Sequence, residues 1–161
     1  MWYRYTFRTG MKNFSGFIIA FLAVAVCTWV SCNKDDQKDI DQSLIEDYLE
    51  NHGLTAESTS SGLHYIINNP GNSEHPISSS TIDFIYTGRF LNDQIFDSSE
   101  GLVVTYPLNG LIEGFQEGIP LLGKGGSAKL LVPSHLGYGE NPPSGIPLNA
   151  VLVFDVELVY F

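Results

Sequence analysis

Cysteine is scarce in this chain. Only Cys27 and Cys32 occur among 161 residues, so a disulfide framework is excluded as the source of stability. Basic residues are also few, with 8 Lys and Arg against 18 Asp and Glu and a net charge of -10. Three of those bases, Arg4, Arg8 and Lys12, come before the first long apolar run, whereas every acid lies at or after Asp35. Residues 32–161 alone therefore hold 18 acids and 5 bases, a net charge of -13. A surface so negative repels nucleic acid and anionic lipid headgroups, which excludes a nucleic-acid partner.

The motifs of several chemistries are missing too. His52, His64, His75 and His135 are scattered without i, i+4 pairing, and no second cysteine or acid cluster completes a metal-ligand spacing, so no metal is expected. No G-x-S-x-G elbow is present to support nucleophilic hydrolysis. The stretch "GIPLLGKG", Gly118 to Gly125, comes close to a phosphate-binding loop. It has Gly125 where Ser or Thr must hold magnesium, and helical rather than strand periodicity precedes it, so it reads as a turn. No cofactor is expected.

The amino-terminal segment reads as an address. Lys12 precedes the apolar run "FSGFIIAFLAVAVCTWV", which ends at Ser31-Cys32 in the order of a secretory signal peptide, and Met11 offers an alternative start. A transmembrane anchor is the other reading of the run, at the lower limit of spanning length. "WVSCNKDD" resembles the lipobox of bacterial lipoproteins, with Trp29 where that pattern has a smaller aliphatic residue. The resemblance implies cleavage after residue 31 and lipidation of Cys32, which places the protein on a membrane of the bacterial cell envelope. Lipid would also cap the one thiol that cleavage leaves.

Residues 32–62 read as a tether. "NKDDQKDIDQ" is charge-dense with nothing to bury and is expected to be flexible. "QSLIEDYLENHG" places Leu44, Ile45, Tyr48 and Leu49 on one helical face and stops at Gly53, and "TAESTSSG" reads as a linker. From Leu63 the period changes to two. "LHYIIN", "TIDFIYTGRFL", "IFDSS", "LVVTYPL", "SAKLLVP" and "AVLVFDVELVYF" read as strands, and "GLIEGFQEGIPLL" as a short helix that Gly114 and Gly118 weaken. The expected fold is α+β, a twisted antiparallel sheet of about five strands on one short helix, over residues 63–161. The Gly- and Pro-rich loop "SHLGYGENPPSGIPLN" is long enough to suggest function.

Four blocks in order, "YTGRFLNDQIFDSS", "PLNGLIEGFQEGI", "GGSAKLLVPSHLGYG" and "IPLNAVLVFDVEL", resemble the FKBP-type peptidyl-prolyl cis-trans isomerases. Together they cover roughly Leu63 to Tyr160. The resemblance implies a pocket between helix and sheet with Phe96, Leu111, Ile112, Phe115, Ile146 and Phe154 binding the proline segment. Tyr86, Asp97 and Tyr138 form its polar set: Asp97 at the rim within reach of the Tyr86 hydroxyl, Tyr138 meeting the ligand carbonyl. It also implies proline-containing polypeptide clients among exported proteins, a monomer, and binding of rapamycin or tacrolimus. The chain departs from the family at the pocket floor, Phe115 instead of tryptophan, in a shortened Ser99–Tyr106 segment without a basic residue, and in lacking a histidine within "NPPSGIP". A non-catalytic module that binds proline segments is the alternative function.

Overall fold

The computed structural model describes residues 34–161. The signal segment 1–31 and the lipidation candidate Cys32 lie outside the described residues.

The sheet follows from strict alternation. The strands are β1 (Glu57–Ser58), β2 (His64–Asn69), β3 (Thr81–Phe90), β4 (Ile95–Ser98), β5 (Val104–Pro107), β6 (Ser127–Val132) and β7 (Leu152–Tyr160), so the described residues hold seven rather than about five. Their order is β1-β2-β6-β7-β3-β4, with β5 also on β3, and every pairing is antiparallel. Six of them fall on the six stretches that read as strands, and the seventh, β1, falls in the stretch expected to be a linker; its two residues pair with Tyr65 and His64. The central pairing aligns Tyr86 with Val156 and Gly88 with Phe154. Ile82, Phe84, Leu152, Phe154, Val156 and Leu158 consequently share one buried face.

Helix α2 (Glu113–Gly118) lies on that face and continues into a 3-10 turn over Ile119–Leu121. It buries Phe115 and Ile119 among the strand residues. Its two glycines have a packing reason. A Cβ on Gly114 would sit 2.6 Å from a Val132 methyl, and one on Gly118 would sit 2.7 Å from a Leu130 methyl. The glycines cost helix propensity but let α2 settle onto β6, and six residues of helix suffice because packing supplies the stability.

The stretch expected to be a flexible tether is ordered. Helix α1 runs from Lys34 to His52 and takes in most of the charge-dense segment. It packs on the opposite face of the sheet, where Ile45 and Tyr48 meet Leu131, Val151 and Val153. One turn before Ile45, Asp41 is fully buried and continues the same face. Its Oδ2 accepts from the Ser134 N–H (2.8 Å) and the Ser134 hydroxyl (2.6 Å), while Gln37 Nε2 donates to Oδ1 (2.7 Å). The anchoring residue is a carboxylate, so a hydrophobic pattern could not reveal it. Gly53, at φ 62°, ends the helix where expected. Nearby, Tyr48 donates to Asp93 Oδ1 (3.1 Å) and the His52 ring stacks on Tyr48 at 3.9 Å, joining the end of α1 to the β3–β4 turn.

"GIPLLGKG" is a turn. Gly123 N–H donates to Pro70 O (2.8 Å) and Gly125 N–H to Leu158 O (2.7 Å), which uses the amides that would otherwise be free to cradle an anion.

Candidate functional site

The aromatic residues singled out in the sequence converge between α2 and the sheet. Phe115 meets Phe154 edge-on at 4.7 Å between ring centroids and Tyr86 at 6.4 Å, and Phe96 meets Phe154 at 5.7 Å. Such edge-to-face contacts are favourable beyond the area they bury. Phe90, not anticipated as part of the site, lies against Phe96 at 4.9 Å.

Gly88 makes this arrangement possible. It is buried and pairs directly with Phe154 across β3 and β7. A Cβ there would lie 2.7 Å from Phe96 and 2.8 Å from Phe154, too close to both rings. The signal was the lone glycine in the strand pattern "FIYTGRF", a mark of close approach.

Above the rings opens a cavity of about 400 Å³ lined by Phe90, Phe96, Asp97, Tyr138, Ile146 and the loop residues Pro143 to Gly145, with Gln94 and Ile95 at its edge. Of the expected site residues, Phe96, Asp97, Tyr138 and Ile146 line it directly. Phe115, Phe154, Tyr86, Leu111 and Ile112 do not line it: Phe154 packs against Phe96, Phe115 against Phe154, Tyr86 bonds Asp97, and Leu111 and Ile112 are half-buried against the same core. The long loop that supplies Tyr138 and Ile146 therefore forms one wall.

The polar groups are held in place. Tyr86 hydroxyl donates to Asp97 Oδ2 at 2.7 Å. The Tyr86 backbone is pinned by Ser99, whose Oγ accepts from the Tyr86 N–H (3.2 Å) and whose N–H donates to Tyr86 O (3.0 Å). Ser99 is buried and was missed as a supporting residue. Burial, then the hydrogen bond to Asp97 and its charge, push the Tyr86 phenol far above its ordinary range. Burial and the Asp97 charge likewise push Tyr138 up. Both phenols thus stay protonated at neutral pH; Tyr86 donates to Asp97, and Tyr138 keeps its proton to donate. No ion pair engages Asp97 among the described residues.

Leu111 and Ile112 enter α2 through an extended turn closed by Gln116 Nε2, which donates to Leu111 O (2.7 Å). Ile112 is the N-cap, with its carbonyl accepting from Phe115 N–H (2.9 Å). An N-cap N–H has no partner within its helix, so Ile112 presents a backbone donor at the helix start.

Sheet, helix and pocket together define the class. Residues 72–159 match the family model of the FKBP-type peptidyl-prolyl cis-trans isomerases, and the chain belongs to that family. It is 43% identical over 105 residues to the FKBP-type peptidyl-prolyl cis-trans isomerase FkpA of Aeromonas hydrophila, covering 64% of this chain and 39% of that protein. With FkpA of Escherichia coli K12 the identity is 38% over 116 residues, 71% of this chain and 42% of the relative. The crystal structure of Escherichia coli FkpA superposes with a TM-score of 0.68 at 33% identity, covering 78% of this chain and 61% of that one. The chain thus spans about two-fifths of the length of these curated relatives.

Proposed function

We propose that the protein is a peptidyl-prolyl cis-trans isomerase that accelerates X-Pro rotation in exported polypeptides. The observation that carries this reading is a cavity walled by Phe90, Phe96 and Ile146, with Asp97 and the neutral phenol of Tyr138 in its lining and Phe154 packed against Phe96. An X-Pro bond turns slowly because its partial double-bond character gives a barrier of about 18–20 kcal/mol. The planar amide is more dipolar than the twisted one. Moving it from water onto Phe96 and Ile146 therefore costs the ground state more than the transition state, a form of differential binding.

Tyr138 hydroxyl or the Ile112 N–H then holds the carbonyl while the C–N bond rotates. Asp97, fixed by Tyr86, keeps the rim polar and leaves the apolar wall to the proline ring. Removing about 4 kcal/mol of barrier gives roughly a thousandfold acceleration. None of this needs a nucleophile. Rapamycin and tacrolimus would compete for the same cavity.

The test is turnover of short X-Pro peptides in a protease-coupled assay. Tyr138→Phe should lower kcat and kcat/KM together by about fivefold, the worth of one neutral hydrogen bond made mainly in the transition state. If the unchanged protein binds such peptides without turning them over, the binding-module reading replaces this one.

We further propose that residues 1–31 are a signal peptide, that residues 63–161 carry the activity, and that lipid on Cys32 holds a monomer at a membrane of the envelope. The lipobox-like "WVSCNKDD" and the single thiol left by cleavage support this. Intact mass of the mature protein should show a start at Cys32 with added acyl mass, and Cys32→Ala should abolish both; an unacylated start elsewhere would refute the anchor.

A further inference from the structure

A second cavity of about 640 Å³ shares Tyr138 with the first. Gln37 and Lys38 of α1, Glu113 of α2, Asn149, and Ser134, His135 and the segment from Gly137 to Asn141 line it. Tyr138 borders both cavities, which makes them neighbours. We infer that this trough takes the client chain where it leaves the proline pocket, and that it favours clients with a basic residue a few positions from the proline. The inference rests on the proline-binding reading of the first cavity.

Continuity is the first argument. A polypeptide held by its proline against Phe96 has chain on both sides, and each extended residue advances about 3.3–3.6 Å. A few residues are enough to pass the Tyr138 ring. The volume also lies within the range of about 300–1,000 Å³ usual for ligand sites.

Charge is the second. Glu113 and Glu140 are exposed in the trough, and neither makes a hydrogen bond or ion pair among the described residues. Lys38 is the single opposing full charge in the lining, and His135 is occupied by Ser61 O at 2.9 Å. The trough therefore attracts a client cation more than an anion. Short X-Pro peptides would not reach it.

The experiment uses the full chain and two sets of about ten-residue X-Pro peptides, with Lys or Glu placed three residues before or after the proline. Binding is read by fluorescence anisotropy and turnover by the isomerase assay. In one of the two sets, Lys should be preferred over Glu by about threefold, as expected for partly exposed ion pairs. Glu113→Gln with Glu140→Gln should bring that preference close to one. A control pair, Asp47→Asn with Glu50→Gln on the exposed face of α1, removes the same charge outside the trough and should preserve it.

Equal losses in both variant pairs would overturn the inference in favour of the general field of an acidic surface. No preference in either set would overturn it outright. Failure of the catalytic reading is separately visible, because the preference is also measured in Kd.

Discussion

Phe154→Ala should destabilise the protein by about 3–5 kcal/mol and abolish the proposed isomerase activity together, because its ring is a core residue and also packs against Phe96, which lines the cavity. Phe154 is 3% exposed and contacts Phe96, Phe115 and Tyr86. Removing it leaves a cavity that Gly88, directly across the strand pair, has no side chain to fill. Phe96 would then lose the ring that supports it, and the wall proposed to face the proline would no longer be fixed. Urea unfolding measures the first effect and turnover of X-Pro peptides the second. Phe154→Leu keeps an apolar filler and should fold well, with the loss shifted toward activity. If Phe154→Leu were destabilised yet kept full kcat/KM, the ring would be core only, and the pocket would begin at Phe96.

The sheet was legible because its inward faces are nearly all apolar. Leu152, Phe154, Val156 and Leu158 alternate with Val153, Asp155 and Glu157, and each set lies where period two puts it. The aromatic positions emerged from the ordered blocks rather than from any one residue, since a buried phenylalanine looks the same in a pocket as in a core. Less legible were groups whose role depends on distant partners. Ser99 shows its function only once it faces Tyr86 across two strands, and Gly88 only once two rings close over it. Pro143 and Ser144 become cavity wall only when their loop folds back toward Phe96. Helix α1 was read too short because charge density looks like disorder when the partner of a buried carboxylate lies 93 residues away.

That carboxylate leads to the second large effect. Asp41→Ala should lower stability by about 2–4 kcal/mol, since it strands the N–H and the hydroxyl of Ser134, both buried, without an acceptor. It should also reach the candidate site. The Ser134 carbonyl accepts from Gly137 N–H (3.0 Å) and Gly139 N–H (2.9 Å), the residues on either side of Tyr138. Asp41 thus fixes Ser134, Ser134 fixes the turn, and the turn sets where the Tyr138 hydroxyl points. Asp41→Asn keeps an oxygen for Ser134 and should recover most of both losses. The diagnostic comparison is made well below the unfolding midpoint, where every molecule is folded. There Asp41→Ala should still lower kcat, and adding Tyr138→Phe to it should cost less than Tyr138→Phe alone, because the two changes act on one hydrogen bond. Strict additivity in that double-mutant cycle would show instead that α1 stabilises the domain without positioning Tyr138.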